Sequence, residues 1–281
     1  MGDYGTLTLM DSSVSDNATV GAYASGGGIR LGDHGSLTAI NSTIGGNNTA
    51  GLNAAGGGIS GSYADSLTLA DSTVYGNRSI YSHGGGIESA GTVVLTSTTV
   101  SGNSAGIYGG GIYGRALTLL SSTVSGNHAT DFLGTGDGSG GGIFLGFGGA
   151  TMSNSIVAGN STDGQEDDFV GAIASSNGHN IFGSDVVGAF DGDLQGVAAS
   201  RLFAGLDPDT GGGSLNAAGI IPLRNNVTNP ALGGGDSLAV FSTDQIGTAR
   251  PLPFGSLPDI GASERNQTLS THESRNNDVL S

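Results

Sequence analysis

The most constraining feature of this sequence is a repeat with two fixed points, an apolar residue three places before an asparagine and a run of glycines before an isoleucine. The asparagines are Asn17, Asn47, Asn77, Asn103, Asn127 and Asn160, and Gly-Gly-Gly-Ile begins at Gly26, Gly56, Gly84, Gly109 and Gly140. The asparagines follow one another at intervals of 30, 30, 26, 24 and 33 residues. Such a period is typical of solenoids, propellers and arrays, whose units bury apolar surface against their neighbours.

Each unit contains the patterns of three short strands. Apolar residues stand ten and eight places before the asparagine, which is the period-two alternation of a strand with one buried face. These pairs are Leu7/Leu9, Leu37/Ala39, Leu67/Leu69, Val93/Leu95, Leu117/Leu119 and Ala150/Met152. The Val or Ile before the asparagine and the Ile after the glycines belong to two further strands, and Gly, Ser, Asn and Asp between them suit turns.

Three strands per unit predict one coil of a parallel β-helix, with coils stacked about 4.8 Å apart. Like residues of successive coils then lie on one another. The six asparagines are therefore predicted to form a structural ladder at a turn, each side-chain amide bonding to the next, rather than a row of ligand-binding groups.

These motifs carry a resemblance to a known family. Gly-Gly-Gly-Ile alternating with Val-x-x-Asn resembles the GGA[ILV] and FxxN repeats of the polymorphic outer-membrane proteins, over about residues 5–160. Gly replaces Ala in the first motif, and Val or Ile replaces Phe in the second. The resemblance implies a right-handed parallel β-helix on a surface protein. We predict an all-β solenoid of about six coils over residues 1–185.

The sequence changes character after the repeats, and all six prolines lie at or beyond Pro208. The motifs Asn229-Pro230-Ala231-Leu232-Gly233-Gly234-Gly235-Asp236, Asp244-Gln245-Ile246-Gly247 and Asp259-Ile260-Gly261-Ala262-Ser263-Glu264 resemble the C-terminal region of the choice-of-anchor Q proteins. That family implies a bacterial, secreted or surface-attached protein and supplies no catalytic residues. We expect 186–264 to be a cap over the open end of the apolar core and 265–281 to be a flexible tail.

Both ends of the sequence suggest a longer protein. Leu7-Thr8-Leu9 already has the pattern of a repeat, so we expect the chain to begin inside a longer β-helix or to be a fragment of one. Asn277-Asp278-Val279-Leu280-Ser281 resembles the opening of a haemolysin-type calcium repeat.

Composition excludes several functions. The 281 residues carry a net charge of −16 with eight Arg and no Lys, which disfavours nucleic acid and anionic membrane surfaces as partners. No Cys is present, and no apolar run is long enough to predict a membrane span. The one candidate cofactor is calcium, and its candidate oxygen ligands are Asp137, Asp167 and Asp168 in acidic turns. The expectation otherwise is that no cofactor is needed.

A carbohydrate-binding face is the candidate functional site. The residue after each repeat isoleucine points outward by alternation, and Arg115 lies two places beyond one of these residues. The candidate ligand-binding residues are Arg30, Glu88, Tyr113, Arg115 and Phe144. Aromatic rings would stack on sugars while Arg and Glu make polar contacts. Glu88 has no obvious carboxylate partner, which glycoside hydrolysis requires.

Three functions therefore stay open. The first is a secreted or cell-surface scaffold or adhesin without catalysis, whose partner is a surface or extracellular polysaccharide. The second is a carbohydrate-active β-helix, either a polysaccharide lyase or a glycoside hydrolase. The third is an ice-binding solenoid, suggested by the outward Thr and Ser of the strand before the asparagine, for example Thr73, Thr99 and Thr123.

Overall fold

The computed structural model describes residues 3–62, 66–132, 134, 138–188, 192–206, 212–216, 219–236, 242–250 and 257–263. The predicted tail 265–281, with its resemblance to a calcium repeat, lies outside these residues. So does Asp137.

The described chain is a parallel β-solenoid of four sheets, each of which takes one parallel strand from each of the six complete coils, and a seventh, partial coil adds a strand to sheets 1 and 2. Sheet 1 contains Thr6–Met10, Ser36–Ile40, Ser66–Ala70, Thr92–Thr96, Ala116–Leu120, Ala150–Ser153 and Ile173–Ser176. Sheet 2 contains Ser13–Ser15, Thr43–Gly45, Thr73–Tyr75, Thr99–Ser101, Thr123–Ser125, Ile156–Val157 and Ile181–Phe182. Sheet 3 contains Ala18–Thr19, Asn48–Thr49, Arg78–Ser79, Ser104–Ala105, His128–Ala129, Ser161–Thr162 and the antiparallel Gln165–Glu166. Sheet 4 contains Ile29–Arg30, Ile59–Gly61, Ile87–Ser89, Ile112–Gly114, Ile143–Leu145 and Phe169–Val170. The described residues hold one helix, Ala199–Leu202.

The strand register confirms the predicted stacking of like on like. In sheet 1 Leu67 pairs with Leu37 and Val93, and in sheet 2 Val74 pairs with Ile44 and Val100. These side chains are at most 1 % exposed. The apolar residues of sheets 1, 2 and 4 thus form one continuous column inside the solenoid.

The prediction of three strands per coil was wrong, because each coil has a fourth. The extra strand follows the asparagine directly and is two residues long, as in Arg78–Ser79. Its inward position holds a small residue, Ser79 or Ala105 in successive coils. Two residues with a polar or small inward side chain are too short to show apolar alternation in a sequence.

The three glycines of each run have three separate structural reasons, shown here by the second coil. Gly56 has a φ of +66°, a left-handed conformation that side chains rarely adopt. A Cβ on Gly57 would collide with the backbone of Arg78 on the facing sheet. A Cβ on Gly58 would lie 2.9 Å from Cγ of Asn77. The third glycine therefore makes room for the asparagine ladder.

The asparagine ladder is present as predicted. Asn47 donates from its backbone N (3.0 Å) and its Nδ2 (2.9 Å) to Oδ1 of Asn77, and Asn77 repeats both bonds to Asn103. The Nδ2 of Asn77 also donates to the carbonyl of Ile44 at 2.9 Å. Asn47, Asn77, Asn103 and Asn127 have no exposed surface, so every rung satisfies polar groups that water cannot reach.

A second ladder of hydroxyl groups lies at the turn between sheets 1 and 2. The backbone N of Ser42 donates to Oγ of Ser72 at 3.1 Å, and the backbone N of Ser122 donates to Oγ of Ser155 at 3.2 Å. In the last coil Asn180 takes the place of a serine and accepts from the backbone N of Ser155 at 3.0 Å. Each turn thus carries its own row of internal hydrogen bonds.

The C-terminal region packs along the side of the solenoid as well as near its end. Leu194 continues sheet 2 by a parallel bridge to Ile181. The chain then lies on the outer face of sheet 2, where Gln245 donates through Nε2 to the carbonyl of Ser72 (3.0 Å) and to Oγ1 of Thr73 (2.6 Å). A second apolar core forms between this region and the last coils. It contains Ile156, Ala158, Ile181, Val197, Ala199, Leu202, Phe203, Ile221, Leu223, Ala231 and Ile260.

Candidate functional site

The predicted outward row lies on sheet 4 in the expected order. Arg30 pairs with Ser60, Ser60 with Glu88, Glu88 with Tyr113, and Tyr113 with Phe144. The row therefore places one of these side chains on each successive coil.

Four aromatic rings form a stacked cluster on this face. The Tyr113 ring lies 4.7 Å from His83 and 5.7 Å from Phe144, and the Tyr108 ring lies 4.5 Å from Phe144 and 5.1 Å from His83. His83 and Tyr108 were not predicted as site residues. Each immediately precedes a glycine run, so the positions flanking the motif were the available signal. Burial lowers the pKa of His83, so the ring favours its neutral form.

Glu88 is outward in the strand alternation but only 7 % exposed. Its Oε2 accepts hydrogen bonds from Oγ of Ser60 and Oγ of Ser62, both at 2.9 Å. Burial raises the pKa of Glu88, while the two serine hydroxyls and the nearby charge of Arg30 act in the opposite direction. The carboxylate is thus held in one orientation by two neighbouring side chains.

A groove, which we call the notch, lies where sheet 4 turns into sheet 1. In the fourth coil Arg115 alone connects Gly114 to Ala116, whereas residues 90–91 and 146–149 connect the same strands in the coils on either side. The short connection leaves a depression between longer ones. It has two adjoining parts of about 310 and 460 Å³. The shortest repeat interval, the 24 residues from Asn103 to Asn127, contains this connection and was the sequence signal for it.

The notch is lined by chemically different groups along its length. Glu88 and Tyr113 lie at one end, Arg115 and Phe147 line both parts, and Ala90 forms a side wall. Phe147 is 77 % exposed. Among the described residues that line the notch, Glu88 is the only carboxylate. Phe147 was missed in the sequence because it lies in a connection, outside the repeat pattern.

The predicted ligand residues thus lie in three places. Glu88, Tyr113 and Arg115 line the notch. Phe144 belongs to the adjoining aromatic cluster through Tyr113. Arg30 stands two coils away from Glu88, with Ser60 between them, and its Nη1 contacts the carbonyl of Tyr23 at 3.5 Å.

The two described candidates for calcium ligands have internal hydrogen-bond roles. Asp168 is fully buried, and its Oδ1 accepts from the backbone N and the Nδ2 of Asn160, both at 2.8 Å. Its Oδ2 accepts from the backbone N of Ser184 at 2.8 Å. Asp167 accepts from the backbone N of Gly140 (2.7 Å) and from Oγ1 of Thr162 (2.8 Å). The described residues contain no group of three or more His, Cys, Asp or Glu placed to hold a metal ion.

Asp168 has a strongly shifted pKa. Burial raises it to about 6, and Glu166 adds to the increase, while the hydrogen bonds from Asn160 and Ser184 lower it. The residue stands where the next asparagine of the ladder would be. The ladder therefore accounts for its position.

The threonine row that suggested ice binding is largely covered by the chain itself. Thr73, Thr99 and Thr123 are at most 4 % exposed. Their hydroxyls bond to the C-terminal region, through the carbonyl of Gly219 at 2.9 Å, Gln245 and the backbone N of Ala262 at 3.0 Å. In these coils the row is an internal docking surface and is not available to ice.

Comparison of the sequence with protein-family models finds no match, and no curated protein matches it at a significant level. Membership of the families that the motifs resemble therefore stays a prediction. In the described parts of the chain, no helix has both the length and the apolar character to cross a membrane.

Proposed function

We propose that this chain is a secreted or cell-surface β-helical scaffold or adhesin module of a bacterium, which binds extracellular polysaccharide at the notch and does not cleave it. The observation that carries the proposal is the lining of the notch, which combines an exposed aromatic ring, an arginine and one carboxylate fixed by two serines. Aromatic faces and oriented polar groups are the groups that bind a sugar ring and its hydroxyls.

We propose binding without cleavage because of the number of carboxylates among the described residues that line the notch. Glycoside hydrolysis needs a general acid and a second carboxylate about 5–10 Å apart on opposite sides of the scissile bond. Glu88 has no carboxylate opposite it among the described lining residues. A solenoid also suits a scaffold, because each coil is stabilised by its two neighbours and the whole forms a rod.

A carbohydrate-active enzyme remains the second candidate because Glu166 and Asp168 lie close together. A Cβ added to Gly183 would collide with a carboxylate oxygen of each. A raised pKa near 6 is also a property of general acids. Against this function, Asp168 has no exposed surface and both its oxygens already accept hydrogen bonds.

A polysaccharide array with product detection tests the proposal. The intact chain is incubated with immobilised polysaccharides, retention is measured, and the supernatant is assayed for new reducing ends and for unsaturated products. Retention without products supports the proposal. Release of products would favour the enzyme, and Asp168→Asn should then abolish them.

A matched pair of variants assigns the binding to the notch. Phe147→Ala removes an exposed ring of the notch, and Val227→Ala removes an apolar side chain that is 95 % exposed elsewhere. We expect the first to reduce retention and the second to leave it unchanged. Equal retention by both variants would place the binding surface outside the notch, and absence of retention on every polysaccharide would refute the proposed function.

A further inference from the structure

We propose that the notch selects acidic polysaccharide, with Arg115 pairing with the carboxylate of a hexuronate residue whose ring lies against Phe147. This inference rests on the proposed function and names the class of sugar that the site takes. Its occupant is an internal uronate unit of a linear chain.

The first argument is the state of Arg115. Its side chain is exposed in the floor of the notch, and it makes no hydrogen bond or ion pair with the described part of the chain. The protein carries eight Arg against 24 acidic residues, and none of the described acidic side chains pairs with Arg115. A guanidinium binds a carboxylate through two parallel N–H···O bonds, which gives both affinity and orientation.

The second argument is the order of groups along the notch. Arg115 lies two residues beyond Tyr113, which pairs with Glu88, so the backbone positions of Arg115 and Glu88 are offset by about 7 Å along the strand direction. That separation is comparable with the width of a pyranose ring. A uronate would place its carboxylate at Arg115 and its ring hydroxyls toward Glu88, whose Oε2 is already fixed by Ser60 and Ser62.

The third argument is the apolar wall. Phe147 is 77 % exposed and borders both parts of the notch. An aromatic ring beside a cation suits a sugar unit that has an apolar C–H face and one negatively charged substituent. A small inorganic anion has no such face to lie against the ring. The negative charge of the rest of the protein is screened beyond about 8 Å at physiological ionic strength, so it does not prevent a local Arg–carboxylate pair.

The test compares polygalacturonate with its methyl ester, which has the same backbone, and with two glucose polymers, one neutral and one sulfated. Binding of the intact chain to polygalacturonate, to its fully methyl-esterified form, to a neutral glucan and to dextran sulfate is measured by calorimetry at 0.15 M NaCl. A chelator is present so that calcium cannot bridge two acidic polymers. We expect polygalacturonate to bind at least about tenfold more tightly than its methyl ester, because esterification removes the charge and the bidentate acceptor.

Two arginine variants complete the test. Arg115→Gln should weaken polygalacturonate binding by about tenfold and remove the preference over the methyl ester. Arg78→Gln removes the same charge from an exposed position on sheet 3 and should change neither. Circular dichroism and the melting temperature verify that both variants keep the fold.

The outcomes separate this inference from the proposed function. Equal binding of polygalacturonate and its methyl ester would overturn the uronate assignment. So would binding of the neutral glucan with an affinity that Arg115→Gln does not change. Either result would still leave a polysaccharide-binding module. Preference for dextran sulfate over polygalacturonate would also overturn it, in favour of a sulfated ligand. If no polysaccharide binds, both proposals fall.

Discussion

Replacement of Asn77 by alanine tests whether the asparagine row is a structural ladder. The Oδ1 of Asn77 accepts from the backbone N and the Nδ2 of Asn47, in a site that water does not reach. Alanine leaves the backbone N–H of Asn47 and one N–H of its Nδ2 without an acceptor, while the Nδ2 keeps its bond to the carbonyl of Val14. Each such loss costs about 1–3 kcal/mol. The Oδ1 of Asn103 and the carbonyl of Ile44 lose one donor each. We expect Asn77→Ala to lower the free energy of unfolding by about 3 kcal/mol.

The control for this prediction is Asn17→Ala. Asn17 is exposed in the first coil and donates to Oδ1 of Asn47. Its removal leaves acceptors with one fewer bond in a partly wet site, so we expect a loss below about 1 kcal/mol. Urea unfolding gives both values, and hydrogen exchange of the Asn47 amide reports on the orphaned donor directly. Equal, small effects of the two variants with an unchanged exchange rate at Asn47 would refute the ladder as a source of stability.

Three further predictions follow from the core, the buried aspartate and the C-terminal region. Val74→Asp buries a charge between Ile44 and Val100, so the melting temperature should fall by an amount equivalent to several kcal/mol, and a wild-type melt would contradict the stacking. The pKa of Asp168 is raised from 3.8 to about 6, so the folded state binds this proton more tightly than the unfolded state does. Its contribution to stability is full below about pH 4 and is lost as the pH rises through 6, by roughly 3 kcal/mol. Urea midpoints between pH 4 and 8 should therefore show this slope in the wild type and lack it in Asp168→Asn, and identical slopes would exclude the assignment. Gln245→Ala should accelerate proteolysis within 219–263 because it removes buried hydrogen bonds to sheet 2, whereas Ile246→Ala, at a side chain that is 52 % exposed, should not.

The core and the ladder could be predicted from the sequence because they repeat. Equivalent positions of successive coils are neighbours in space. Alignment of the units on the asparagine is therefore enough to place Val74 between Ile44 and Val100. Parallel in-register stacking converts sequence columns into spatial rows. The core column and the asparagine ladder could be predicted by this rule, whereas the two-residue fourth strand also repeats but is too short to show apolar alternation.

The notch and the docking of the C-terminal region were missed because both break the repeat. The notch exists because one connection contains only Arg115, and its aromatic wall, Phe147, lies in a longer connection of the next coil. The burial of Thr99 depends on Gln245, which is 146 residues away in the sequence. Such contacts join a repeat to a region without one, and a single sequence has no pattern that predicts their pairing.

The outward residue of sheet 2 changes from threonine to isoleucine in the sixth coil. With the structure in hand, this change marks where the C-terminal region packs on the solenoid. The outward residue of sheet 2 is Thr73, Thr99 and Thr123 in three successive coils, then Ile156 and Ile181. Ile156 and Ile181 are fully buried in the second core. An apolar residue in an otherwise polar outward row therefore indicates that another part of the chain covers that row.

The direction of the hydrogen bonds explains why both ladders end in an aspartate. Each asparagine donates to the next coil and accepts from the previous one. The group that ends a ladder must therefore accept from the last asparagine, but no further group follows it to accept hydrogen bonds in turn. Aspartate meets this requirement, because an ionised carboxylate accepts and does not donate. Asp168 ends the asparagine ladder, and Asp193 ends the hydroxyl ladder by accepting from the backbone N and the Nδ2 of Asn180 at 3.0 and 2.9 Å. An acidic residue just past the last repeat of such a solenoid is thus first a candidate for the end of a ladder, and a cation site at that position needs ligands beyond the one that the ladder already uses.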